Sequence, residues 1–309
     1  MTMSGDSVST PAQQQVPLTD APPALLVRSF KLMKPVTWFG PMWAFLCGTI
    51  ASGATSLAPL DILRVLLGMV LAGPILCGFS QVLNDYFDRE VDAINEPHRL
   101  IPSGLVSLRQ VWLTIALLLL SGVALAWWLG DGVTLLVIVG LLFAVAYSAP
   151  PIRAKRNGWI GNGMVALSYE GLAWMAGHVA FAALTPASIF VALAYSFGAH
   201  GIMTINDFKS MAGDKLKGVR SLPVQYGPEV AAWLIVVTMN MAQIVVAAFF
   251  MAQRQWLVAA IIAALVVAQY PLQRRFLRDP VKEHIFYSAS GVSLFVWGMM
   301  AAAVGLRYM

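Results

Sequence analysis

The sequence predicts an all-α integral membrane bundle of about nine transmembrane helices in two related halves, with the N-terminus cytoplasmic. Three observations carry that prediction: an extreme apolar composition, nine apolar runs of spanning length, and a lopsided distribution of basic residues. Of 309 residues, 59% are hydrophobic and only 11% charged, with a mean hydropathy of +0.72; a soluble domain carries about a quarter charged residues. A soluble globular domain is thereby excluded.

Residues 1–27 are polar, with Pro, Gln, Ser and Thr and no basic segment leading into an apolar core. They read as a disordered tail and not as a cleaved signal. Residues 28–309 read as one polytopic membrane domain. Runs able to cross about 30 Å of hydrocarbon fall at 38–54, 65–84, 110–129, 133–149, 161–183, 187–205, 229–252, 256–272 and 285–306. Arg28, Lys31 and Lys34 precede the first run, and the connections after the second, fourth, sixth and eighth runs hold three, three, four and four more Lys or Arg. The other side has only Arg64, Arg254 and Arg307. That split of seventeen to three places the N-terminus on the cytoplasmic side and the C-terminus across the membrane. The net charge of +5 therefore reflects topology and does not point to nucleic acid. Cys47 and Cys77 fall inside predicted helices without disulfide or metal-site spacing, as small packing residues do.

Two polar stretches end apolar runs: Asn84-Asp85-Tyr86-Phe87-Asp88-Arg89-Glu90-Val91-Asp92 and Asn206-Asp207-Phe208-Lys209-Ser210-Met211-Ala212-Gly213-Asp214. Arg99-Leu100-Ile101-Pro102 follows the first, and Arg220-Ser221-Leu222-Pro223 follows the second at almost the same distance. The pattern is an internal repeat, and repeat-built membrane proteins commonly place their site between the halves.

If the second helix continues through its cytoplasmic end, Asn84, Asp88 and Asp92 form a stripe at i, i+4 and i+8, with Asp85 beside them. Asp207 and Asp214 are seven apart and share a face if helical, although Gly213 makes continuity doubtful there. Oxygen donors without thiolate or a dense His set suit Mg²⁺, which is usually shared between one or two carboxylates and a substrate phosphate. Two such clusters facing across a cavity would hold two metal ions on one diphosphate. The other reading of a single cluster is a solvated helix end balanced by Arg89, Lys209 and Lys215; repetition favours a site. Tyr147-Ser148-Ala149-Pro150-Pro151-Ile152-Arg153-Ala154-Lys155-Arg156 closes the fourth run, and Arg99, Lys209 and Arg220 lie in the motif loops. Such donors hold diphosphate oxygens, or else serve as topology-setting loop charges.

The Asn-Asp-x-x-Asp-x-x-x-Asp pattern at 84–92, the acids at 207–214 and Tyr147, Pro151, Lys155 and Arg156 resemble the intramembrane prenyltransferases of the UbiA superfamily, over nearly the whole chain after residue 30. The segments 88–97, 101–104, 198–209 and 220–224 are similar to the branch of chlorophyll and bacteriochlorophyll synthases, and 77–81 and 169–172 look more like its bacteriochlorophyll form. Three positions depart from the pattern: Leu100 and Ala173 where Pro is common, and Ala212 where an acid is common.

The resemblance implies a Mg²⁺-dependent transfer of a geranylgeranyl or phytyl group from its diphosphate to the propionate of bacteriochlorophyllide or chlorophyllide, in a bacterial cytoplasmic or intracytoplasmic photosynthetic membrane, with the site facing the cytoplasm. It implies metal ligation by Asn84, Asp85, Asp88, Asp92, Asp207 and Asp214, catalysis centred on Asp88, Asp92, Asp207 and Asp214, and diphosphate contacts from Arg99, Lys155, Arg156, Lys209 and Arg220. Ala212 leaves fewer carboxylates in the second motif. Glu170 is a charged residue well inside a predicted helix, which marks a functional position by default; His200 shares the face of Asp207 two turns deeper. Both are candidate pigment contacts, against the alternatives of a carboxyl or imidazole bonded to a neighbouring helix. Competing readings are prenylation of a quinone precursor or haem and a repeat-built carrier. A carrier predicts ionisable residues at mid-membrane in both halves, where only Glu170 stands.

Overall fold

The computed structural model describes residues 24–309, all of them helical or loop apart from one isolated β-bridge. The tail read over 1–27 lies, as far as residue 23, outside the described residues, and α1 (Leu25–Leu32) begins within the rest of it. Then follow α2 (Phe39–Ala51), α3 (Pro59–Ile94), α4 (Leu108–Leu129) and α5 (Asp131–Ser148). Helix α6 joins three segments, Gly158–Ala166, Leu167–Leu172 and Ala173–Val179. Next come α7 (Pro186–Asp207), the short α8 (Met211–Lys217) and α9 (Leu222–Tyr226), and finally α10 (Pro228–Ala252), α11 (Trp256–Arg278) and α12 (Pro280–Arg307).

Local chemistry sets the ends. Pro begins α3, α7, α10 and α12, at the position where its missing N–H costs nothing. Ser107 accepts a hydrogen bond from the Gln110 N–H, Asn157 from those of Trp159 and Ile160, and Thr185 from that of Ser188, each satisfying donors left open at a helix start.

Among the described residues, seven helices are long and apolar enough to span: α3, α4, α5, α7, α10, α11 and α12. Two of the nine expected runs differ. Helix α2 has only 13 residues, and α6 is interrupted by the π-helical segment Leu167–Leu172. A second π-helical segment, Leu71–Cys77, interrupts α3 at Pro74, whose ring removes an N–H and displaces the preceding carbonyl. The chain is a multi-pass membrane protein. Helices α7 and α10, about half buried, form the interior, whereas α5, 17% buried, faces outward.

Where lipid supplies no hydrophobic drive, close backbone approach and polar contacts between helices take over. A Cβ at Gly48 would stand 1.8 Å from the Trp174 carbonyl oxygen, and one at Gly177 2.1 Å from that of Phe45, so α2 and the end of α6 touch backbone to backbone. Between α10 and α11, Gln269 donates to Gln243 at 2.7 Å, while Asn240 and Gln273 exchange hydrogen bonds of 3.1 and 2.7 Å.

Candidate active site

A cavity of about 1090 Å³ runs into the bundle. At one end it is lined by Asn84, Asp88, Asp92, Asp207 and Asp214 together with Arg99, Arg153, Lys155, Arg156 and Lys209. Further in, Leu136, Val137, Leu141, Phe143, Val292 and Trp297 make apolar walls. Both polar motifs thus open onto one space.

The first stripe is positioned by helix alone. Gly78–Asn95 runs unbroken through the motif, which turns Asn84, Asp88 and Asp92 to the cavity. Lys155 Nζ donates to Asn84 Oδ1 at 2.8 Å and to Asp88 at 2.7 Å, and Arg153 Nη2 donates to Asp88 Oδ1 at 2.9 Å. Arg153 holds a left-handed backbone, φ 43°, at the turn that brings this basic loop over the stripe. Arg99 Nη1 pairs with Asp92 Oδ2 at 2.8 Å, and Arg99 also bonds Glu96. Burial holds the Lys155 ammonium below the usual lysine range, with the Asp88 carboxylate working against that shift. Burial likewise opposes the charge of Arg99, but the Asp92 carboxylate, the Glu96 hydrogen bond and Asp85 together raise its pKa.

The second motif is broken, though not at Gly213. Helix α7 ends at Asp207 and α8 starts at Met211, with Gly213 inside it. Ser210 occupies the joint: its Oγ donates to the Asp214 carboxylate at 2.8 Å and contacts the Asp207 carbonyl at 3.2 Å. Asn162, buried on α6, donates to Asp207 Oδ2 at 2.9 Å. The basic loop that leads into α6 docks on the loop behind the second motif, with Gly158 N–H to Arg220 O at 2.8 Å and Arg220 N–H to Arg156 O at 2.9 Å.

Three expected residues stand elsewhere. Asp85 is absent from the cavity lining and lies 2.7 Å from Lys34 Nζ and 3.8 Å from Arg99. The Arg220 side chain is exposed and reaches Gln225 at 3.4 Å, so this loop meets the site through its backbone. His200 faces away from the cavity, stacked on Trp159 at 5.2 Å between ring centroids, with Nε2 3.3 Å from the Trp159 carbonyl. The spacing that put His200 on the face of Asp207 did not show that the two meet different residues of α6, Trp159 and Asn162. Glu170 is buried and lines the cavity.

Asn162 acquired no role from sequence, Lys34 only that of a topology-setting charge, and Arg153 only that of one donor in a basic stretch. An amide within an apolar run is the signal that would have flagged Asn162, because such a group needs a partner.

Among the described residues no three His, Cys, Asp or Glu side chains converge on one point as metal ligands. The donors present are nonetheless hard oxygens, three residues from the first motif and two from the second, beside cations able to take phosphate. That is the set a Mg²⁺-diphosphate uses, since Mg²⁺ keeps water and phosphate oxygens in its shell and takes few protein ligands, so the residues fit the group.

A helical membrane bundle with acids and bases at one end of a cavity and apolar walls beyond suits chemistry on an amphipathic substrate at the membrane boundary. Residues 41–303 match the UbiA prenyltransferase family, and the chain belongs to it. It is 59% identical to the Bacteriochlorophyll synthase 34 kDa chain of Chloroflexus aurantiacus over 92% of this chain and 91% of that relative. Identity to the chloroplastic Chlorophyll synthase of Arabidopsis thaliana is 40%, over 90% of this chain and 74% of the relative. A solved structure of a UbiA homolog from Archaeoglobus fulgidus bound to GPP and Mg²⁺ shares the fold, with a TM-score of 0.69 at 21% identity over 88% of this chain and 99% of that one.

Proposed function

We propose that this prenyltransferase is a bacteriochlorophyll synthase, which transfers a geranylgeranyl or phytyl group from its diphosphate to the propionate carboxylate of bacteriochlorophyllide. The observation that carries the reading is the convergence of two acidic motifs and two basic loops on the end of one otherwise apolar cavity, together with 59% identity to a bacteriochlorophyll synthase chain.

Asn84, Asp88 and Asp92 on one side and Asp207 and Asp214 on the other would hold a Mg²⁺-bound diphosphate. The chemistry Mg²⁺ supplies there is stabilisation of charge on the departing diphosphate. Lys155, Arg153, Arg99, Arg156 and Lys209 lend donors to the phosphate oxygens, Lys155 and Arg153 moving from Asp88 to phosphate as the substrate enters. These contacts strengthen as the allylic C–O bond breaks and negative charge grows on the leaving group. A propionate oxygen then bonds to the allylic carbon. Because the nucleophile is already an anion near neutral pH, no side chain has to remove a proton. Asp85 serves by fixing Lys34 and Arg99.

The same reading has the chain cross the membrane nine times. Lys34 reaches Asp85 near the site, while Arg307 bonds Thr55 at the far end of α2, which supports α2 as a crossing despite its length. Lys155 and Asp207 line the same end of the cavity, so α6 has to carry the chain away before α7 brings it back. With the seven longer helices this makes nine, and the seventeen-to-three charge split supports a site on the cytoplasmic face. We place it in a bacterial photosynthetic membrane.

The test is an assay on expressed membranes given Mg²⁺, geranylgeranyl diphosphate and either bacteriochlorophyllide or chlorophyllide, with esterified pigment separated by chromatography. Ester from bacteriochlorophyllide in preference to chlorophyllide is expected. Preference for chlorophyllide would assign the sister activity, and no ester from either would rule out the tetrapyrrole.

A further inference from the structure

Glu170 sits in the π-helical segment Leu167–Leu172, lines the cavity and is only 5% exposed, yet its Oε2 has no hydrogen-bond partner among the described residues. Its neighbour Tyr169 offers no relief. The Tyr169 hydroxyl is taken up by Cys77 Sγ at 3.1 Å, Ser80 Oγ at 3.3 Å and Gln81 Nε2 at 3.3 Å. A carboxyl left unpartnered in a buried site is costly, and a purely structural one would be satisfied by an adjacent helix. This one lines the cavity, and Tyr169 next to it meets a second π-helical segment, Leu71–Cys77, through Cys77.

The depth of this layer decides what it meets. Cys77 precedes Asn84 by seven residues on α3, which puts the layer roughly 10 Å from the first motif along the helix. A prenyl chain at that depth brings only hydrocarbon. The acceptor, hung by its propionate from the reacting end, brings its macrocycle, whose peripheral substituents include carbonyl oxygens. With no cationic partner, the neutral acid is the cheaper form of the carboxyl, and in that form it donates.

We infer that Glu170 reads the acceptor, donating a hydrogen bond to a peripheral ring carbonyl and so selecting a tetrapyrrole with an acetyl substituent, as in bacteriochlorophyllide, over one with vinyl, as in chlorophyllide. The inference rests on the tetrapyrrole reading above and adds to it the group that sets specificity.

The experiment uses the full-length protein in lipid nanodiscs with Mg²⁺, geranylgeranyl diphosphate and two acceptors identical except for an acetyl or a vinyl group. The wild type is expected to favour the acetyl acceptor in kcat/KM by about tenfold, the scale of one buried hydrogen bond. Glu170→Leu is expected to remove that preference by lowering the acetyl rate while leaving the KM for geranylgeranyl diphosphate in place. Glu170→Gln, whose amide still donates, keeps most of it. A wild type indifferent to the substituent, or an equal fall on both acceptors in Glu170→Leu, overturns the inference. A wild type that esterifies neither acceptor overturns the tetrapyrrole reading itself, an outcome separate from a loss of selectivity.

Discussion

Asp88 receives Lys155 and Arg153 from a loop more than sixty residues away, and Asp207 receives Asn162 from α6. In the proposed mechanism the carboxylates act on the metal-bound diphosphate, so Asp88→Asn and Asp207→Asn should each lower kcat/KM for esterification by at least about 100-fold, with the protein still in the membrane. Wild-type rates in either would contradict the assignment. Lys155→Ala should raise the KM for the prenyl diphosphate and lower kcat, about tenfold or more in the ratio, and Lys155→Arg should restore part of it. The acids were legible in the sequence because carboxylates beside apolar runs are expensive and their i, i+4, i+8 spacing needs only a helix. Their partners were less so: nothing in linear spacing shows that Asp85 turns to Lys34, that His200 turns to Trp159, or that Arg220 contributes its backbone.

Most helices follow directly from apolar runs bounded by Pro, Ser, Thr or Asn, and the expected ranges of α4, α5, α7 and α10 agree with the structure within a few residues. The interruptions were illegible. Pro74 gives a reason for the π-helical segment in α3, but Leu167–Leu172 contains no proline, and an extra residue per turn leaves no periodic trace. Glycine spacing was equally silent about the contact of α2 with α6. Gly48→Val would drive a side chain into the Trp174 carbonyl, so it should destabilise the protein by about 1–3 kcal/mol or prevent folding, read as a lower melting temperature in detergent. Gly213→Ala is the control, since nothing lies within 4 Å of its Cβ; an unchanged melting temperature for Gly48→Val would contradict the packing.

For the whole molecule, the proposed orientation rests on basic residues on alternate connections, and joining the two motifs in one cavity requires that their helices end on the same side. Leu216, 84% exposed beside the second motif, and Leu57, 90% exposed at the far end, give opposite expectations. In intact cells a membrane-impermeant maleimide should label Leu57→Cys and leave Leu216→Cys unlabelled until lysis. The reverse pattern would invert the topology.

The chemistry itself divides on which bond breaks. Bacteriochlorophyllide carrying heavy oxygen in its propionate, esterified by the purified protein with Mg²⁺ and geranylgeranyl diphosphate, can be traced by mass spectrometry in the ester and in the released diphosphate. Transfer of the prenyl group to an intact carboxylate predicts both labelled oxygens in the ester and none in the diphosphate. Label in the diphosphate would mean that the carboxyl group is activated by phosphate instead, and would contradict the account.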